Sequence, residues 1–105
     1  MSGRKKEEIK ELQKILRVLS VPLRLKILGL LALKPRYAWE LKKILKISYP
    51  LVHLHLKALE NAGLVTSEYK VVEGKTPMVR RYYKVTDFKI IITPQRLREL
   101  FESEG

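Results

Sequence analysis

A chain of 105 residues has room for one modest core, and its 46% hydrophobic and 31% charged residues suit a folded chain better than a disordered one. The formal charge of +11 suits a polyanionic partner, while the absence of cysteine excludes disulfides, thiolate metal sites and thiol catalysis. The longest apolar run, Ile27 to Leu33, is about a third of the length a bilayer needs, and the lysine-rich start lacks the apolar core of a signal peptide, so a cytoplasmic location is expected, with no membrane partner.

Residues 4–19 read as an amphipathic helix, with Ile9, Leu12, Leu16 and Leu19 at 3-4-3 spacing and Ile15 widening the stripe. Such a stripe needs a partner surface, in its own domain or on another chain. Ser20 and Pro22 restart the chain as a second helix to about Lys34, apolar nearly all round except at Arg24 and Lys26, which predicts a central, buried element. Pro35 stops it. Tyr37, Ala38 and Trp39 form a short extended piece ahead of a third helix from Glu40 to Lys46, and Trp39 is assigned to the core or to helix packing rather than to base stacking.

Residues 48–62 read as a capped helix. Ser48 offers a hydroxyl to the free N–H groups of the first turn, and Pro50 sits where its missing N–H costs nothing. At about 100° per residue, Val52, His55, Leu56, Leu59 and Ala62 fall on one side, with Tyr49, Pro50, His53, Leu54 and Lys57 opposite. One side packs and the other is free to read a partner. Gly63 can take the left-handed conformation that ends a helix.

Leu64 to Val72 and Val79 to Thr86 are rich in Val, Thr and Tyr and are joined by Glu-Gly-Lys-Thr-Pro, which predicts a hairpin over 64–86 with Lys75 in its loop. Val65, Tyr69 and Val71 share a parity, as do Val79, Arg81, Tyr83 and Val85; Arg80, Tyr82 and Lys84 point the other way. Parity leaves open whether Arg80 or Arg81 meets phosphates, since twist and any bulge decide it. Phe88 to Ile92 continues as an apolar extended segment, and Thr93 and Pro94 cap a last helix over 94–103 that carries Leu97, Leu100 and Phe101.

Charge is unevenly placed: +3 in residues 1–20, +6 in 21–47, 0 in 48–63, +3 in 64–86 and −1 in 87–105. The basic groups therefore flank the 48–62 helix. That suits a duplex binder, because neighbouring elements grip phosphates while the helix presents groups to base edges.

Three segments recur in a familiar order across roughly residues 15 to 90: Leu19 to Leu33, then His55-Leu56-Lys57-Ala58-Leu59-Glu60 with Ala62-Gly63-Leu64-Val65, then Arg81-Tyr82-Tyr83-Lys84-Val85-Thr86. Together they resemble the winged helix-turn-helix transcription regulators of the arsenic-repressor-like (ArsR) family and their archaeal relatives. The sequence departs from the family's pattern at Tyr49, Leu51, His53 and Leu54, where Gln, Thr, Ser and Arg are more usual. The departures bear on sequence preference rather than on the fold.

The resemblance implies an α+β, mainly α, single domain over 1–105, with a β-hairpin wing and flanking N- and C-terminal dimerisation helices. It also implies a homodimer through Ile9, Leu12, Leu16, Leu19, Leu97, Leu100 and Phe101, bound to double-stranded DNA. The 48–62 helix would enter the major groove and the hairpin would meet the backbone or minor groove. The contact set is then Ser48, Tyr49, Pro50, His53, Leu54, Lys57, Lys75, Arg80 and Arg81. His53 and Lys57 can donate to guanine acceptors, and Tyr49 can meet a phosphate or a base edge. Leu54 can meet a thymine methyl or pack against the wing or third helix.

Family members that release DNA on binding metal place His and Asp ligands on the last helix, where this chain offers Glu99, Glu102 and Glu104. The only histidines, His53 and His55, lie about 200° apart on their helix and cannot share an ion, so no metal or cofactor is expected. His55 is assigned to the core edge, with its polar atoms satisfied locally. No nucleophile sits beside a base and no glycine-rich phosphate cradle occurs, so no enzyme is expected. The alternative is a winged-helix interaction module that meets RNA or an acidic protein within a larger assembly, an option kept open by Leu51 and Leu54 on the exposed helix face.

Overall fold

Five helices and three strands make up the computed structural model, which describes residues 3–102; Glu104 and the end of the expected 94–103 helix fall outside that range. The helices are α1 (Gly3–Leu19), α2 (Pro22–Leu33), α3 (Ala38–Leu45), α4 (Tyr49–Asn61) and α5 (Pro94–Phe101), and the strands are β1 (Arg36–Tyr37), β2 (Val65–Val72) and β3 (Met78–Val85).

The core forms where the apolar faces of α2, α3 and α4 meet the base of the sheet. Ile27, Leu41, Val52, Leu56 and Leu59 are wholly buried there, closed off by Leu64, Val65 and Tyr83. Truncating a fully buried leucine to alanine costs about 2–5 kcal/mol, a large part of the stability of a domain this small. The central role expected of α2 is realised through Ile27, Leu28 and Leu31, while Leu25 and Leu33 stay in solvent. Ser20 does not cap that helix: its hydroxyl donates back to the Arg17 carbonyl at 2.6 Å, finishing α1, and Val21 holds the capping position of α2 without a side-chain bond.

The third helix starts earlier than expected from residues 40–46. The Tyr37 N–H donates to Glu40 Oε1 at 3.2 Å, so the carboxylate satisfies a free donor of the first turn and draws Ala38 and Trp39 into the helix. Only Arg36 and Tyr37 remain extended, as a two-residue strand on β3 opposite Tyr83 and Tyr82. Trp39 is 48% exposed rather than in the core, and its packing is against Tyr49 of α4, ring centroids 6.3 Å apart.

The sheet is antiparallel in the order β1-β3-β2, with an unbroken register from Val65 opposite Val85 to Val72 opposite Met78. No bulge interrupts the hairpin, so strand parity holds along its length. Arg81 therefore lies on the face of buried Tyr83, and Arg80 lies on the other. The expected extended segment from Phe88 to Ile92 joins no strand, and Thr93 then starts α5 by accepting the Arg96 N–H at 3.1 Å.

Helix α1 contributes no fully buried residue over its 17 positions. The Cα radius of gyration is 17.4 Å, with extents of 65 × 25 × 22 Å, whereas a compact chain of this length would have a radius of about 13 Å. Of α1, Ile15, Val18 and Leu19 pack against the core while Leu16 stays in solvent.

Candidate nucleic-acid interface

The turn between α3 and α4 is built from backbone constraints at both ends. Lys46 closes α3 in the left-handed conformation, φ 56°, with its N–H donating to the Lys42 carbonyl at 2.9 Å. Two residues later the Ser48 hydroxyl accepts the Leu51 N–H at 3.3 Å, and Pro50 occupies the first turn where it forfeits no bond. At the far end Gly63, φ 77°, lets its own N–H reach the Glu60 carbonyl and the Leu64 N–H reach Leu59, a glycine-closed helix end that delivers the chain into β2. Lys14 of α1 donates to the Asn61 carbonyl at 2.7 Å, a cation at the negative end of the α4 dipole.

These constraints leave one face of α4 outward. Ser48, Tyr49, Pro50, Leu54 and Lys57 are exposed, His53 is half-buried, and Val52, His55, Leu56 and Leu59 are buried. The Tyr49 ring meets His53 edge-on at 4.5 Å, and Lys42 lies 4.7 Å over Trp39, so a cationic and aromatic string runs from α3 onto the start of α4. Leu54, 56% exposed, packs on neither the wing nor α3 closely enough to be covered. His55 accepts at Nδ1 from Arg24 Nε at 3.1 Å, while Arg24 also donates to the Val18 carbonyl. Burial first, and the Arg24 charge second, push the His55 imidazole below its ordinary value, which keeps it a neutral acceptor.

On the wing, Lys75 stands exposed in the loop. Arg80 stacks over the Tyr37 ring at 4.4 Å on the face away from α4. Arg81 turns toward α4: its Nε donates to Ser67 Oγ at 2.8 Å and its Nη2 to Glu60 Oε2 at 3.1 Å, with the Tyr83 and Tyr69 rings on its flanks. One groove is lined by His53, Lys57, Glu60, Asn61, Arg81 and Tyr83. Sequence reasoning missed Glu60 as a member of this set. The available signal was that it is the sole carboxylate of α4, but its partner lies across a tertiary contact.

The residues expected at a dimer interface divide in two. Leu19 packs against the core beside Ile15 and Val18, and Leu100, 4% exposed, is covered on the helix that contacts α1. Within the single chain Leu19 is half-buried and Leu100 is buried. Ile9 and Leu12 are half-buried, whereas Leu16, Leu97 and Phe101 are exposed, as are Phe88, Ile91 and Ile92 in the segment between β3 and α5.

A two-helix turn set on a core helix, followed by an antiparallel hairpin beside the second helix, defines a winged helix-turn-helix protein. Residues 21–67 match the family model described as bacterial regulatory protein, arsR family. The chain is 43% identical over 86 residues to an HTH-type transcriptional regulator of Methanocaldococcus jannaschii, covering 82% of this chain and 87% of that one. The chain belongs to the arsR family and is a DNA-binding transcription regulator of the winged-helix class.

Among solved structures, the homodimeric winged helix-turn-helix DNA-binding domain of a possible ArsR-family regulator from Mycobacterium bovis superposes with a TM-score of 0.67 at 23% identity, covering 99% of this chain and 84% of that one. PadR of Bacillus subtilis, in complex with operator DNA, has a TM-score of 0.55 at 17% identity, covering 81% and 60%. At these identities the two structures speak for the fold. No described helix is long and apolar enough to cross a membrane.

Proposed function

We propose that the protein acts as a cytoplasmic, non-enzymatic homodimer, each chain a single domain that lays α4 in the major groove of a palindromic duplex and rests its wing on the adjoining backbone or minor groove. The observation that carries this reading is the outward face of α4, where His53, Leu54 and Lys57 stand on a helix fixed at both ends and flanked by basic elements. Ser48 sits at the helix N-terminus, where free N–H groups favour a phosphate, with Tyr49 and Pro50 in the same turn. Lys75, Arg80 and Arg81 are the cations of the wing assigned to DNA contact.

The dimer reading rests on the exposed apolar side chains of Leu16, Leu97 and Phe101, on the elongated shape of the single chain, and on the homodimeric state named for the Mycobacterium bovis domain. The operator complex of PadR supports a duplex as the ligand of this architecture. A module that binds RNA or an acidic protein is the competing reading, favoured by the exposed Leu51 and Leu54.

Selection of bound fragments from a pool of random duplexes decides between them. Enrichment of a two-fold symmetric sequence, with affinity that falls steeply as salt rises, is expected. Recovery of no preferred duplex, with RNA or a protein bound more tightly under the same conditions, overturns the regulator reading.

A further inference from the structure

The groove between α4 and the wing holds an arginine whose guanidinium is already occupied. Arg81 Nη2 reaches both Glu60 oxygens, at 3.3 and 3.1 Å, and its Nε is held by Ser67 at 2.8 Å. Ser67 in turn lies 3.5 Å from Glu60 Oε2, so the three side chains form one small network joining the two elements that would meet DNA. Glu60 is the one carboxylate on α4, and it sits in the same groove as His53 and Lys57.

A carboxylate and a phosphate present the same fork-matching pair of oxygens to a guanidinium. We propose that Glu60 is a positioning residue that occupies Arg81 in place of a backbone phosphate, withholding this cation from DNA and limiting sequence-independent binding by a strongly basic chain. The inference rests on the DNA reading above.

Physical scale supports the role. The Arg81 and Glu60 side chains are 38% and 26% exposed, so the pair lies in a screened setting where such bonds are weak and exchangeable rather than locked in the core. A pair of this kind can tune an equilibrium without determining the fold. Non-specific affinity grows with every phosphate neutralised, and a net charge of +11 would otherwise favour indiscriminate adhesion. Keeping one well-placed arginine engaged internally lowers the background against which base contacts discriminate.

The test is a double-variant cycle on a random-sequence duplex, with wild type, Glu60→Gln, Arg81→Ala and the double variant titrated over a salt series. Glu60→Gln should bind about two- to fivefold more tightly at low salt, the range an exposed ion pair spans, and its salt dependence should steepen by about one unit of slope. In the Arg81→Ala background the same substitution should change nothing, because the cation it releases is gone. An equal gain in both backgrounds would reduce Glu60 to a repelling charge and overturn the proposal. Weaker binding by Glu60→Gln would overturn it as well, by making the carboxylate an aid to Arg81. A wild-type protein that binds no duplex would instead sink the DNA reading itself, and the withheld arginine with it.

Discussion

Arg24 Nε donates to His55 Nδ1 across 3.1 Å, tying the central helix to the buried side of the helix that faces outward at His53 and Lys57. Because the acceptor must be unprotonated, the bond makes stability depend on pH. The folded His55 takes up a proton less readily than the unfolded one, whose ordinary value is 6.5. Between the folded and unfolded values the unfolded chain holds more protons, so the His55 contribution is complete above about pH 6.5 and declines as pH falls through that window. Thermal melts at about pH 7.5 and 5.5 should show a lower Tm at the acidic end, and His55→Gln should flatten that difference. A pH dependence unchanged in the variant would remove His55 as its source.

Readout and grip should separate on α4. His53→Ala and Lys57→Ala should each cost about 1–3 kcal/mol of affinity for a selected operator while altering random-duplex binding much less. His55→Ala serves as the contrast: it should lower Tm and leave site preference among folded molecules alone. Equal losses on both duplexes for the first two variants would make those side chains phosphate contacts or bystanders.

The wing should report through salt. Lys75 and Arg80 take part in no ion pair among the described residues. Replacing either with alanine should flatten the dependence of affinity on salt by about one unit of slope for each phosphate left without its cation, with sequence preference retained. Unchanged affinity of the double variant at moderate salt would show that the hairpin does not touch DNA.

Assembly is testable by light scattering. Leu12→Asp with Leu16→Asp should convert a dimer to a monomer, because the first helix buries no side chain fully within its own chain and places Leu16 in solvent. A wild-type protein that is already monomeric at micromolar concentration would end this expectation and weaken the palindrome with it.

Two left-handed residues bracket α4, and they should respond in opposite directions. Gly63→Ala places a side chain at φ 77° and should cost about 1 kcal/mol, although its new methyl would meet no neighbour. Lys46→Gly relieves the same conformation at φ 56° and should gain up to about 1 kcal/mol, less what glycine loses in the unfolded state. Chemical denaturation midpoints with unchanged m values would measure both.

Sequence alone was enough for the helix that matters most. Ser48, Pro50, Gly63 and the buried side of Val52, His55, Leu56 and Leu59 are local signals, acting within one or two turns, and the structure keeps all of them. The hairpin was equally legible from its alternation and turn residues. One local bond accounts for the early start of α3, Glu40 reaching back three residues to Tyr37, whereas the place of Trp39 against Tyr49 of the next helix is set by tertiary packing. How far Leu19 and Leu100 are covered within one chain is likewise set by tertiary packing. The same holds for the site. Which arginine faces α4 depended on the absence of a bulge, and that Arg81 is held by Glu60 depended on the wing folding against the end of α4, because a strand's parity is set locally but its neighbours are chosen by tertiary packing.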